Sequence, residues 1–132
     1  MSRIFALSEA ASIAIHSMVL IARSEHGLNV SQVARVTGFS KNHIAKILQR
    51  LVRDEMLKSV RGPAGGFSVK ADPGLITLLD IYQAIEGTLE IGTCPLGHDV
   101  CGFNRCILEN VVNELTTEFK QFLQGQTLQS YL

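Results

Sequence analysis

Residues 31–67, SQVARVTGFSKNHIAKILQRLVRDEMLKSVRGPAGGF, decide the fold of this chain. SQVARVTGFS and KNHIAKILQRLVRDEML are two helical patterns joined by a turn at Gly38. Ser40 stands where an N-cap belongs, because its hydroxyl can accept from the unpaired N–H groups of the first turn. Behind it Ile44, Ile47, Leu48 and Leu51 recur at helical spacing and form one buried stripe. The opposite face carries Lys41, Asn42, His43, Lys46, Gln49, Arg50 and Arg53. LKSVRGPAGGFSVK then gives two short strand-like runs around Gly62, Pro63, Ala64, Gly65 and Gly66, a sequence no helix tolerates. A basic, amide-bearing helix followed by a glycine-rich hairpin with Arg61 suits a DNA groove.

Working outward, the charge supports that reading despite a formal net charge of zero over 132 residues. Residues 35–70 hold eight Lys and Arg against Asp54 and Glu55. Residues 71–132 hold Arg105 and Lys120 against eight acids, and residues 1–34 balance. The neutral total therefore conceals a polarised chain whose basic part coincides with the helix and wing. Length and composition fit one compact domain, organised as a winged helix-turn-helix region (1–73) and a region of short helix, cysteine loop and long helix (74–132). No start with a basic end, apolar run and small-residue cleavage site appears, and residues 10–22 are too short and too often interrupted to span a bilayer. The expectation is a cytoplasmic protein with no membrane partner.

Upstream, SEAASIAIHSMVLIARS (8–24) reads as a helix capped by Ser8 that supports the two DNA-facing helices, with Glu9, Ser12 and His16 on one stripe. Downstream, TLLDIYQAIEG is a short helix with Thr77 as cap, Asp80 three residues on and Gly87 as its stop. TLEIGTCPLGHDVCGFNRC is a long loop that holds all three cysteines. CILENVVNELTTEFKQFL is a final helix in which Leu108, Val112, Leu115, Phe119 and Phe122 alternate in steps of four and three, with Val111 widening the stripe. That spacing favours a helix–helix seam and points to a homodimer. QTLQSYL follows as a tail with no evident role.

Cys94, Cys101 and Cys106 do not have the paired spacing of a zinc ribbon. Thiolates in a glycine-containing loop can wrap an iron–sulfur cluster, leaving one site of a cubane for another ligand. Three ordinary thiols, a zinc site completed by His98 or His16, and a metal-free thiol switch remain the alternatives. No Ser/His/Asp set, phosphate loop or dinucleotide motif appears, so an enzyme acting on a small-molecule substrate is not expected.

VRGPAGGF after a helix-turn-helix, then TLLDIYQAIEG, then a cysteine cluster leading into a long helix resemble the IscR/NsrR-type winged-helix regulators, the Rrf-two family. The resemblance runs from ASIAIHSMVLIA through the last helix. It implies a mainly α fold: a winged helix-turn-helix with a two-stranded wing and a long C-terminal dimerisation helix. It also implies a homodimeric transcriptional regulator, acting as a repressor on double-stranded operator DNA. Its affinity would follow the redox state, nitrosylation or presence of an iron–sulfur cluster held by Cys94, Cys101 and Cys106. The alternative is a cluster-free repressor or thiol-based redox sensor.

In the family the partner's first helix lies near the cysteine loop and can donate a ligand. One branch places a histidine three residues after the last cysteine, where this chain has Glu109. SIAIHSM matches a histidine-bearing version at His16, with Ser12 at that version's acidic position. His16 of the partner subunit is therefore the favoured fourth ligand, with Glu109, Glu9 and His98 behind it. The plain alternative is a helix histidine satisfied by a backbone carbonyl. Three cysteines and one such ligand favour a 4Fe-4S cluster over a 2Fe-2S cluster on two cysteines plus His16. In the head, Ser40, Lys41, Asn42 and His43 are placed to reach base edges, and Lys46, Gln49 and Arg50 lie further along that face. Arg61 enters the minor groove, with Gly62, Pro63, Gly65 and Gly66 shaping the wing. The position at which family members discriminate bases with an acidic residue is Ala45 here.

Overall fold

The structure, a computed structural model, describes residues 7–63, 65–92 and 102–132. The described residues form α1 (Glu9–Arg23), α2 (Val30–Thr37), α3 (Lys41–Arg53), β1 (Leu57–Val60), β2 (Gly66–Val69), α4 (Leu78–Glu86) and α5 (Val111–Gly125). Single 3-10 turns follow β2 at Pro73–Leu75 and close the chain at Leu128–Tyr131. This is the mainly helical winged architecture that the spacing predicts.

Most helix starts are written locally. Ser8 caps α1 by accepting from the Ala11 N–H at 3.1 Å. Asn29 and Gln32 form a reciprocal capping box on α2, at 2.8 and 2.9 Å. Ser40 accepts from the His43 N–H on α3, and Thr77 and Asp80 box the start of α4. Each such cap contributes about 1 kcal/mol to its helix. Gly38 ends α2 with φ +78°, a left-handed stop that lets α3 leave at a new angle.

The core forms around α1, which packs against α2, α3, α4, β2 and the final 3-10 turn. Its Ile13, Ala14, Met18 and Ile21 meet Val33 of α2 and Ile44, Ile47, Leu48 and Leu51 of α3, all buried. Burying each large aliphatic side chain contributes about 1.5–3 kcal/mol. α1 is therefore the support expected beneath the reading helices. Ser17 is the exception on that face, wholly buried with no partner for its hydroxyl among the described residues.

The wing is an antiparallel pair with Leu57 opposite Val69 and Val60 opposite Gly66. Phe67 also pairs with Leu28, just before α2: Leu28 N–H to Phe67 O at 2.9 Å and Phe67 N–H to Leu28 O at 2.7 Å. A Cβ on Gly66 would sit 2.8 Å from the Leu28 carbonyl oxygen, so only glycine allows this approach.

Two expectations need correction. α5 starts at Val111 rather than Cys106, because Glu109 and Asn110 take left-handed conformations (φ +50° and +67°) that no α-helix accommodates. The apolar seam then splits. Phe119 stacks edge-on to Tyr82 of α4 at 5.5 Å and Leu123 is buried, while Leu108, Val111, Leu115 and Phe122 stay exposed. The tail has a structural role as well. Leu128 is fully buried, its N–H bonds to Ile76 O at 3.0 Å, and the Leu78 N–H bonds to Gln126 O at 2.9 Å. The end of the described chain thus straps the start of α4.

Candidate functional site

The outer face of α3 presents Lys41, Asn42, Lys46, Gln49 and Arg53 in exposed positions, with Ser40 exposed at its cap. His43 is half-buried, and its Nδ1 lies 3.5 Å from Glu9 Oε1 at the start of α1. That pair orients the ring at the tip of α3, a link that spacing within one helix could not reveal. Ala45, Lys46, Gln49, Arg50 and Arg53 line an open groove of about 670 Å³ along the helix.

Arg50 does not extend freely into that groove. Its Nη2 donates to the carbonyls of Ala84 at 3.3 Å and Ile85 at 3.1 Å, in the last turn of α4. A basic side chain at a helix C-terminus satisfies carbonyls that the helix leaves unpaired and meets the negative end of its dipole.

Arg61 is exposed immediately after β1, where the wing turns. Gly62 takes φ +107° and its carbonyl accepts from the Gly65 N–H at 2.8 Å, which closes the turn. Gly62, Pro63, Gly65 and Gly66 border a cleft of about 430 Å³ shared with Asn29, Val30 and Ser31 at the start of α2.

Of the cysteine loop, Cys106 is described; Cys94, Cys101 and His98 lie outside the described residues. Cys106 is exposed, and hydrogen bonds from the backbone N–H groups of Asn110 and Leu108, then Glu109, hold its thiol below the usual thiol range. Desolvation opposes this, and then the Glu109 carboxylate, which is itself paired with Arg105. N–H groups aimed at a sulfur favour the thiolate, the form that binds metal and reacts with oxidants.

The roots of the loop are fastened. Asn113, buried in α5, donates its side-chain amide to the Gly92 carbonyl and to Asn110 Oδ1. Leu89 gives its N–H to Gln83 Oε1 at 3.0 Å and takes a bond from Lys120 Nζ at 3.3 Å.

Among the other candidate ligands, Glu9 faces His43 and Glu109 faces Arg105. His16 is exposed on α1 with Nδ1 2.6 Å from the Ser12 carbonyl. With Nδ1–H as donor in that bond, Nε2 carries the lone pair, the arrangement of a ligating histidine. The ring lies edge-on to Phe39, 6.3 Å away, beside an apolar groove of about 540 Å³ that includes Ile15, Val19, Leu20 and Tyr131. Among the described residues no three His, Cys, Asp or Glu side chains are arranged to hold a metal ion, and no helix is long and apolar enough to cross a membrane.

Comparison with known proteins gives one result throughout. A family profile described as "Rrf2: Iron-dependent Transcriptional regulator" matches residues 7–132. The transcriptional regulator IscR of Vibrio campbellii is 23% identical over 124 residues, 94% of this chain and 70% of that protein. The structure of CymR, the global cysteine regulator of B. subtilis, superposes with a TM-score of 0.77 at 19% identity, covering 96% of this chain and 95% of CymR. That of T. potens IscR gives 0.75 at 20% identity, covering 96% of this chain and 85% of the other.

Proposed function

The chain belongs to the Rrf2 family of transcriptional regulators, and from that membership we propose a homodimeric repressor whose grip on operator DNA follows the state of its cysteine loop. It is a regulator, not an enzyme. The observation that carries the control is the exposed Cys106 thiol just ahead of α5, whose neighbouring backbone N–H groups lower its pKa.

Ser40, Lys41, Asn42 and His43 meet base edges in the major groove, and Lys46 and Gln49 follow along the helix. Arg61 reaches the minor groove from a wing shaped by Gly62, Pro63, Gly65 and Gly66. The exposed Val111, Leu115 and Phe122 form the face on which α5 meets its counterpart, which sets two heads on two half-sites.

The donors described fit an iron–sulfur cluster: an exposed thiol whose pKa the neighbouring backbone N–H groups lower, and an imidazole with its second ring nitrogen unengaged among the described residues. Cys94, Cys101 and Cys106 with His16 of the partner subunit would hold it, as a 4Fe-4S cluster in preference to 2Fe-2S. Such a cluster supplies chemistry responsive to oxidants and nitric oxide. The chain's own residues supply the rest: the thiolates fix the loop, Asn113 fixes its ends, and the loop meets the first helix of the other subunit. A differential affinity of a few kcal/mol between loop states is enough for a switch.

The second reading is a metal-free thiol sensor in the same dimer, favoured by the exposure of Cys106. Anaerobic native mass spectrometry, with and without an operator duplex selected by the protein, separates the two. The proposal expects a dimer carrying iron and sulfide, with visible absorbance lost in Cys106→Ala. A colourless, iron-free dimer that binds at full strength overturns cluster control.

A further inference from the structure

Arg50 was expected to serve the DNA face, yet its guanidinium is engaged inside the molecule. The carbonyls it takes belong to Ala84 and Ile85, and α4 ends one residue later at Glu86. Three residues past that end, Leu89 is held from both sides, by Gln83 of α4 and Lys120 of α5. Gly92, the last described residue before the cysteines, is held by Asn113. One hydrogen-bonded run of chain therefore reaches from the reading helix to the root of the cysteine loop, and Arg50 is its contact on α3.

We propose that Arg50 is a positioning residue that couples the cysteine loop to the recognition helix, and not a DNA contact. The inference rests on the proposed control of DNA affinity by that loop. Residues 84–92 are bonded at both ends, so a displacement of the loop root moves the α4 terminus. Arg50 sits on the same groove as Lys46 and Gln49, which carries that movement to the reading surface. Nη2 is committed to two helix-terminal carbonyls that have no α-helical partners, which ties the guanidinium to α4. Coupling of this kind is a free energy between two sites and must be measured as one.

The test uses the full-length dimer of wild type, Arg50→Met and Arg50→Lys, with an operator duplex selected from a random pool by wild type. Affinity is measured for anaerobically isolated protein and for the same protein after N-ethylmaleimide capping of its cysteines. Wild type is expected to show a ratio of about tenfold between the two states. Arg50→Met should shrink that ratio below about twofold, with the salt dependence of binding unchanged. If Arg50→Met does not fold, Arg50→Lys carries the test, since its ammonium keeps the charge but not the two-pronged guanidinium; its ratio should fall to half or less. A wild-type ratio in the folded variant overturns the coupling. So does a loss of about one in the salt slope with the ratio intact, which marks a phosphate contact. Absence of any ratio in wild type overturns loop control itself, and the coupling with it.

Discussion

The side-chain amide of Asn113 donates to the main-chain carbonyl of Gly92, so one buried residue of α5 fastens the chain where the cysteine loop departs. The same amide meets Asn110 Oδ1 at 2.8 Å, where the loop returns to the helix. Replacing Asn113 with Leu keeps the volume and leaves the Gly92 carbonyl without its donor. The expected cost is about 1–3 kcal/mol in chemical unfolding, with faster amide hydrogen exchange around residues 89–92 and 106–110. Wild-type exchange there would show that Asn113 does not hold the loop.

Under the proposed function, Arg61→Ala should weaken operator binding about tenfold and leave dimerisation and cluster absorbance unchanged. Arg61 lies beyond the last paired wing residue, Val60, so its loss does not disturb the sheet. Fluorescence anisotropy with labelled duplex provides the measurement; unaltered affinity would remove the wing from the interface.

Leu115 and Phe122 lie seven residues apart on α5 and are 52% and 56% exposed. The double change Leu115→Glu, Phe122→Glu should convert the proposed dimer to a folded monomer in sedimentation analysis, with helix content kept. A persistent dimer would assign the contact to another face.

Ser17→Ala should stabilise the protein by about 1 kcal/mol, read as a higher urea midpoint. The hydroxyl is fully buried and has no hydrogen-bond partner among the described residues, so it carries a desolvation cost that alanine removes. A destabilised variant would reveal a bonded hydroxyl.

Burial, and then the carboxylate of Glu86, raise the pKa of Tyr82 above its ordinary value. A group raised by folding stabilises while protonated, so its contribution is complete below the unfolded pKa and is lost as pH climbs through the folded one. Stability should therefore fall from about pH 10 upward. Tyr82→Phe should flatten that fall and keep the edge-on contact with Phe119. An identical alkaline slope in the variant would place the titration elsewhere.

The helix-turn-helix and wing were legible because their signals are local. Ser40, the stripe from Ile44 to Leu51, and the glycines flanking Pro63 each state their conformation within a few residues. The start of α5 was hidden because CILEN continues the apolar spacing, while Glu109 and Asn110 leave the helical region. The tail's role depended on an antiparallel pairing between Thr77 and Thr127, fifty positions apart in sequence and invisible to periodicity. Arg50 looked like its neighbours Gln49 and Arg53, since nothing near it in sequence announces carbonyls in α4. Of the cysteine site, Cys106 and its N–H groups extend the sequence reading; the other two cysteines lie outside the described residues.

The two bonds between Leu28 and Phe67 have a mechanical consequence. They clamp the hairpin to the chain just ahead of α2, and the span between the wing and the helix-turn-helix becomes a fixed gauge. Such a gauge leaves the hairpin no independent swing relative to the chain that leads into α2. A shift passed in from the α4 side would therefore reach helix and hairpin together, as the two jaws of one caliper.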